Sequence, residues 1–235
     1  AFEPPLSFNL PRPESADVII LSHSHIASPS SFARSAALNA RPAVQGRVTQ
    51  ARVLMMGGAM KDLLGDARVT LHSSEPSCIT VVADLSSSSD FHYWAADSGT
   101  CTEATITATF TLGAWSGSSS TRVYVVRPMR LTLEASLYPA CSAQATTLYT
   151  LGCATTAVRQ RMLLTASYEH ESDDAEYSLR GRVNLEHPDA ALSLSNLEMI
   201  SNAPILQGKA SGIASCEVSL RGERVELLTY ISDAV

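Results

Sequence analysis

The stretch from residue 121 to 139, TRVYVVRPMRLTLEASLYP, limits the folds open to this chain more than any other. If it is extended, Val123 and Val125 point to one side and the residues between them to the other, which is the two-residue period of a β-strand. Pro128 removes a ladder donor and therefore marks an edge, a bulge or a corner. Because β-branched and aromatic residues crowd the stretch and no helical stripe crosses it, it predicts β-structure.

Most of the chain repeats this style, with short β-rich segments between Ser, Gly, Pro and Ala. Roughly ten strands with turn signals every 8–15 residues are typical of a sandwich or a barrel. We expect a hairpin around Arg221-Gly222, and an antiparallel pair formed by 67–73 and 78–85. The candidate strands are 17–22, 46–56, 67–73, 78–85, 91–95, 104–112, 121–139, 146–151, 159–169, 177–186, 212–220 and 223–231.

A few segments fit other structures. The Ser/Ala/Pro-rich region predicts a short helix over 30–38, with a proline in its first turn. Residues 59–64 fit one helical turn, and 113–120 fit a loop. The segment 190–200 fits the helical and the strand periods equally well.

The fold class that follows is all-β: an antiparallel β-sandwich of jelly-roll type with an extended N-terminal arm. We assign residues 1–45 to the arm and the first strand, and 46–235 to a single sandwich domain. Residues 1–16 contain four prolines, which block both helix and sheet ladder. The apolar side chains of this arm are expected to lie on a surface, of their own domain or of a neighbouring subunit. These candidate subunit contacts are Phe2, Leu6, Phe8 and Leu10.

Charge excludes one large class of function. Charged residues make up 17% of the chain, against about 25% in typical domains. A surface poor in charge fits burial against neighbouring subunits, and fits a Ser/Thr/Ala-rich soluble domain equally well. The net charge of −6 and the lack of any Lys/Arg run argue against a dedicated nucleic-acid-binding domain, so RNA contact would be weak and non-specific. No apolar run approaches the roughly 18 residues of a membrane span.

The five cysteines form no CxxC pair, and their number is odd. Zinc fingers and a disulfide-dense scaffold are therefore disfavoured, and we expect buried reduced thiols. The lack of an Asn-x-Ser/Thr sequon argues mildly against a secreted glycoprotein. A first residue other than Met suggests a product cut from a precursor.

The sharpest chemical candidate is His23-Ser24-His25 at the end of a strand. Two histidines on one side of an extended segment can share a metal. The segment DVIILSHSH resembles the metal-binding loop of metallo-β-lactamase-like hydrolases, whose pattern continues with Asp and His where this chain has Ala27 and Ser28. Because that ligand set is incomplete, we favour surface histidines that end a strand, and we predict no metal.

Other candidates have simpler explanations. The segment from Gly113 to Gly117, GAWSG, misses the G-x-S-x-G nucleophile elbow by one position, and the serine runs 86–89 and 118–120 fit solvated loops. No phosphate-binding or dinucleotide glycine motif is present. We therefore predict no catalytic residues and no cofactor.

Two further groups of residues are candidate binding sites. Asp84, Asp90 and Asp97 surround one loop and could bind Ca²⁺, but their spacing matches no standard calcium loop. The aromatic residues of 91–94, FHYW, could stack a sugar or a base. A role in the core or in a subunit contact is favoured for them.

Taken together, the proline-rich arm, the all-β body and the low charge resemble the single jelly-roll coat proteins of small icosahedral positive-strand RNA viruses. The non-basic chain is most similar to the picorna-like viruses, including the plant secoviruses, over residues 40–231. The resemblance implies a capsid protein that assembles with copies of itself or sister subunits around RNA, in virions formed in the host cytoplasm. The alternatives are a non-catalytic β-sandwich binding module for carbohydrate or protein, and a metal hydrolase.

Overall fold

The computed structural model describes residues 12–83, 91–97, 100–139, 144–151, 158–174, 177–201 and 204–233. Within these residues the chain is almost entirely β-strand, and most strands pair antiparallel, so the prediction of an all-β antiparallel sandwich is confirmed. One short helix, α1 (Pro29–Arg34), leads into a 3₁₀ turn at Ser35–Ala37. The strands are β1 (Pro13–Leu21), β2 (His25–Ala27), β3 (Gln45–Met55), β4 (Met60–Asp62), β5 (Val69–Ser73), β6 (Ile79–Ala83), β7 (Phe91–Ala95), β8 (Glu103–Leu112), β9 (Trp115–Tyr138), β10 (Thr147–Leu151), β11 (Val158–Arg159), β12 (Arg161–Glu171), β13 (Ser178–Arg182), β14 (Ala190–Ser195), β15 (Leu197–Met199), β16 (Ile205–Gly208), β17 (Gly212–Leu220) and β18 (Glu223–Asp233).

The chain divides into two compact units. Unit 1 holds the described residues of Ala1–Ser30, Ala43–Val126 and Ser172–Asp174, and unit 2 holds those of Ser31–Pro42, Arg127–Glu171 and Ala175–Val235. The predicted division between residues 45 and 46 therefore falls inside unit 1.

Unit 1 packs two sheets around one core. The first sheet has the order β1-β3-β7-β6, with β4 beside β3. The second contains β5, β8 and the first half of β9, with β2 parallel to β9. Alternate residues of both sheets point inward and pack together, as Val53, Tyr93, Ile106 and Phe110 do.

Unit 2 has its own core, built in the same way. One sheet has the order β11-β10-β18-β17-β14. The other contains the second half of β9, then β12, β16 and β15, with β13 beside β12. The inward side chains include Met162, Leu164, Leu206 and Val218.

Three local predictions are confirmed. The stretch around Pro128 is one continuous strand, and β12 skips Met129, since Glu169 pairs with Arg130 and His170 with Pro128, so a bulge lies at the proline. The short helix is present. The hairpin of β17 and β18 turns through Arg221 and Gly222, whose positive φ values of 48° and 93° are those that a two-residue hairpin turn needs.

Three other local predictions are wrong. Residues 60–62 form strand β4 beside β3 and not a helical turn. The segments 67–73 and 78–85 do not pair, because β5 pairs with β8 and β6 with β7. Residues 115–120 belong to β9 and not to a loop, since their serines lie opposite the threonines of β8, where hydroxyl pairs such as Thr107–Ser120 at 2.8 Å stabilise the ladder.

The expectation of reduced thiols is wrong for one pair. Cys78 and Cys101 form a disulfide with their Cα atoms 5.1 Å apart. Spacing along the sequence did not indicate it, because the pair is brought together by the fold of unit 1. Cys216 is a free, buried thiol, as expected. Cys141 and Cys153 lie outside the described residues, as do Phe2, Leu6, Phe8 and Leu10 of the arm.

Candidate functional site

The His23-Ser24-His25 segment leads into β2, in unit 1. His25 stacks on Tyr124 of the neighbouring β9, with the ring centres 5.2 Å apart. Its Nε2 lies 2.9 Å from a carboxylate oxygen of Asp174, and its Nδ1 lies 2.9 Å from the hydroxyl of Ser24. The side chains of His25 and Asp174 are 14% and 10% exposed. A serine, a histidine and an aspartate are therefore linked in one hydrogen-bonded chain.

The carboxylate determines the role of one ring nitrogen of His25. A carboxylate only accepts, so Nε2 donates to Asp174, and in the tautomer with a single proton on Nε2 the other nitrogen, Nδ1, accepts from Ser24. The order is that of a nucleophile, a base and an orienting acid. An acyl-transferring enzyme also needs donors aimed at an oxyanion and a cavity for its substrate. The stacking on Tyr124 and the hydrogen bond to Asp174 hold the start of β2 in place, so we interpret the arrangement around His25 as an anchor for this strand.

His23 does not join His25. Its side chain is exposed, and its backbone carbonyl accepts a hydrogen bond from the hydroxyl of Tyr93. In the part of the chain that the structure describes, no three His, Cys, Asp or Glu side chains are grouped closely enough to hold a metal ion. The two histidines that the sequence singled out thus have separate surroundings.

Among the candidate calcium-binding and stacking residues, Asp97 and Tyr93 have structural roles in unit 1. Asp97 accepts the backbone N–H of Ser30 at 2.9 Å, which lowers the pKa of its carboxyl group. Asp84 and Asp90 lie outside the described residues. Tyr93 is fully buried in the core of unit 1, and burial raises its pKa to about 12. Trp94 lies at the surface, 36% exposed.

A polar cluster inside unit 2 was missed at the sequence level. His170 is fully buried on β12, and its Nε2 lies 3.0 Å from the hydroxyl of Ser35. Burial lowers the pKa of His170. Its position could have been found, since it continues the inward-facing alternation of Met162, Leu164 and Ala166.

Beside it, the hydroxyl of Tyr168 donates to Glu223 at 2.5 Å, and burial raises the pKa of this tyrosine. The neighbouring cavity, which Arg34 and Leu220 also line, measures about 10 Å³. A space of this size holds one water molecule at most. The cluster therefore stabilises unit 2 and offers no room for a substrate.

The most unusual surface of unit 2 lies on the outer side of its five-stranded sheet. Ile213 on β17 is directly opposite Tyr230 on β18, and the two are 74% and 52% exposed. Leu228, two residues before Tyr230 on the same side, is 63% exposed, and Tyr149 on the adjacent β10 is 45% exposed. We call these four residues the apolar face. The sequence indicates this face through Ile213. It is an apolar residue among the outward positions of β17, which are otherwise polar, while the inward positions of the strand are filled by other residues.

Comparisons with known proteins give little. No family model matches this chain, and no curated protein matches it. Among solved structures, the chain is similar to domains 5–6 of the S-layer protein SbsC, with a TM-score of 0.27 and 11% identity over 96% of this chain and 100% of that one. A structure of domains 4–9 of SbsC gives a TM-score of 0.26 and 12% identity, over 96% of this chain and 32% of that one. We draw no conclusion from TM-scores of this size.

The helices of the described residues were also compared with the requirements of a membrane span. None of the helices in these residues has the length and apolarity that crossing a bilayer requires.

Proposed function

We propose that this chain is a non-catalytic structural subunit that assembles with copies of itself. The observation that carries the proposal is the apolar face of unit 2. Its four large side chains lie on neighbouring strands and turn away from a core that is already filled. Contiguous apolar surface of this kind marks contact sites in soluble proteins, because burying it removes apolar area from water.

The surroundings of the apolar face support a contact between subunits. Further along the same outer side of β17 and β18 the residues become charged, with Glu217 facing Arg224 at 3.9 Å. An apolar centre beside a polar rim is the usual anatomy of a protein–protein interface. The apolar face is the outer surface of paired strands, and its exposed side chains offer a second subunit a docking surface.

The disulfide supports the proposal that the assembled subunit is exposed outside the reducing cytosol. Disulfides persist in oxidising surroundings, which include the outside of cells and the surfaces of virions. The bond between Cys78 and Cys101 fits a subunit whose assembled form is exposed there.

The test is the native mass of the purified chain by light scattering, with negative-stain imaging of the same fraction. We expect particles or oligomers for the unsubstituted chain, and smaller species for Ile213→Glu and for Leu228→Glu. Ser219→Glu is the matched control, because it adds the same charge to the same outer side of β17 opposite Arg224.

Equal native masses for the unsubstituted chain and all the variants would show that the apolar face does not form the contact between copies. A monomer at every concentration of the unsubstituted chain would instead favour a binding module for carbohydrate or protein.

The more specific proposal is a coat protein whose shell encloses viral RNA, and it is supported by the architectural resemblance described above. It predicts closed spherical particles in the same images. The predicted arm of residues 1–16 is too long, because residues 13–16 belong to β1 and pair with β3. The proposal therefore predicts that removing residues 1–11 leaves both units folded and impairs assembly, because the arm is proposed to lie across neighbouring subunits. Normal particles from that deletion would contradict this role for the arm.

A further inference from the structure

Among the residues that the structure describes, the strand β14 forms one edge of the five-stranded sheet in unit 2. It pairs with β17 from Ala190 opposite Leu220 to Ser195 opposite Ser215, without a register shift. Edge strands of soluble proteins are normally protected by charges, prolines or bulges, since an open edge can pair with another chain. The sequence of β14, AALSLS, contains no charged residue and no proline.

The hairpin of β17 and β18 determines which backbone groups of β14 face outward. Its two-residue turn makes Leu220 and Glu223 a hydrogen-bonded pair, and hydrogen-bonded pairs then recur at every second position. Ile213 falls between them, so its backbone groups point toward β14. This is observed, because its carbonyl accepts a hydrogen bond from the side chain of Asn196, the residue after β14, at 3.3 Å.

The same alternation continues into β14. Ser193 lies opposite Glu217, which has the phase of Ile213, so the N–H and C=O of Ser193 are directed at β17. The N–H and C=O groups of Leu192 and Leu194 are therefore directed away from β17, at the free side of the sheet.

An apolar groove of about 300 Å³ runs beside this free edge. It lies within unit 2, and Leu192 forms one of its walls. Met199, 52% exposed, lies on another wall. The remaining lining residues are Val183, Asn184, Leu185, Glu186 and Pro204. A strand added to β14 would place every second side chain over this groove.

The sequence of β14 pairs both of its leucines with leucines in the antiparallel register that is centred on Ser193. If the two-fold axis passes through Ser193, Leu192 of one copy lies opposite Leu194 of the other, and both are on the groove side. These are the residues whose backbone groups face outward, so each pair can exchange two hydrogen bonds. A shift by one residue would place each leucine opposite a serine or an alanine and turn its side chain to the wrong face.

The arm of this chain fits the edge less well. Pro4, Pro5 and Pro11 have no N–H to donate to a ladder.

We propose that β14 pairs antiparallel with β14 of a second copy, centred on Ser193, so that the five-stranded sheet continues across a two-fold axis into ten strands. The inference deepens the proposed function and rests on it for the identity of the partner. It adds a second contact that is separate from the apolar face, and both copies contribute the same surface, as a two-fold interface requires.

The test is symmetric disulfide cross-linking of the full chain. In the proposed register Ser193 faces its own copy in a non-hydrogen-bonded pair, whose Cβ atoms lie about 5 Å apart. We expect Ser193→Cys to form covalent dimers under mild oxidation. Ala191→Cys is the matched control on the same strand and the same side, because the register places it opposite Ser195. A mixture of Ala191→Cys and Ser195→Cys should cross-link, whereas Ala191→Cys alone should not exceed the background of the unsubstituted chain.

The outcomes separate this inference from the proposed function. If Ser193→Cys cross-links no better than Ala191→Cys while the native mass still exceeds that of a monomer, the edge pairing is wrong and the assembly proposal stands. A monomeric mass together with no cross-linking overturns both. Cross-linking of Ser193→Cys that appears only after removal of residues 1–11 would show that the arm occupies the edge, and would also overturn the inference.

Discussion

Gly46 leaves no space for a side chain, because the ring of Tyr93 covers it. A Cβ atom at position 46 would clash with the ring carbon Cζ of Tyr93. The two residues are cross-strand partners on β3 and β7, and an aromatic ring over a glycine is a known way to fill the gap that glycine leaves in a sheet. The ring is also held by the hydrogen bond of its hydroxyl to the carbonyl of His23.

Gly46→Ala is therefore expected to destabilise unit 1 by about 3 kcal/mol, the upper end of the usual cost of overpacking. Urea unfolding followed by tryptophan fluorescence measures this selectively, because both tryptophans, Trp94 and Trp115, belong to unit 1. In the background of Tyr93→Leu the same substitution should cost much less, since the ring is gone. Equal costs in the two backgrounds would show that the ring is not the cause.

His170 is expected to make unit 2 sensitive to acid. Its pKa is lowered by burial, so the unfolded chain binds the proton more tightly than the folded one. The contribution of this histidine to stability is complete above its unfolded pKa of about 6.5 and is lost as the pH falls below that value. The slope for one group does not exceed about 1.4 kcal/mol per pH unit.

The measurement is the unfolding free energy of His170→Gln and of the unsubstituted chain between neutral and mildly acidic pH, by far-UV circular dichroism. The variant should be less stable at neutral pH and depend less on pH. His72→Gln is the control, because His72 is an exposed residue of unit 1. If the two variants have the same pH dependence, buried His170 is not the source of the acid sensitivity.

The strands and turns of this fold were predictable where the signal lies in neighbouring residues of the sequence. The alternation of β9 and β8, the bulge at Pro128 and the turn at Arg221-Gly222 all depend on neighbouring residues, and all three are correct. The pairing of β5 with β8 joins segments that are separated by two other strands, and no local pattern indicates it. Adjacent segments pair most often, as β6 and β7 do, but β5 does not pair with its neighbour β6.

The candidate sites were less predictable for the same reason. The partner of His25 is Asp174, 149 residues later, and no local motif connects them. The disulfide likewise joins residues that have no characteristic spacing. By contrast, the outward position of Ile213 and the uncharged edge β14 can be read from strand phase once the strands are known.

The disulfide ties the start of β6 to the segment before β8. Because it closes a loop with a sequence separation of 23, its reduction should destabilise unit 1 by about 3 kcal/mol, chiefly by enlarging the unfolded ensemble. We expect a lower urea midpoint for the tryptophan transition after reduction, and the same midpoint for Cys78→Ala/Cys101→Ala whether or not a reductant is present. A reductant effect that persists in the double variant would exclude this bond as its cause.

For the whole molecule, net charge opposes the proposed assembly. Each copy carries −6 at neutral pH, so copies repel one another, and salt screens that repulsion. Contacts that are apolar, as at Ile213 and Leu228, should therefore strengthen with rising sodium chloride and as the pH approaches the isoelectric point near 5.5. Light scattering across a salt series measures the change. Dissociation by salt would show that ion pairs, and not the apolar face, hold the copies together.

The chain passes from unit 1 to unit 2 and back more than once, and this has a consequence for its biosynthesis. Every buried residue of the unit 1 core lies between Ile19 and Val125, whereas the unit 2 core draws on residues as late as Ile231. A ribosome adds roughly 5–20 residues per second. The core of unit 1 can therefore form seconds before the last strands of unit 2 have been synthesised. During that time residues 31–42, which belong to unit 2, lack the later segments of unit 2 against which they pack. Asp174 is synthesised after the last core residue of unit 1, so its hydrogen bond to His25 forms on a unit whose core residues have all been made.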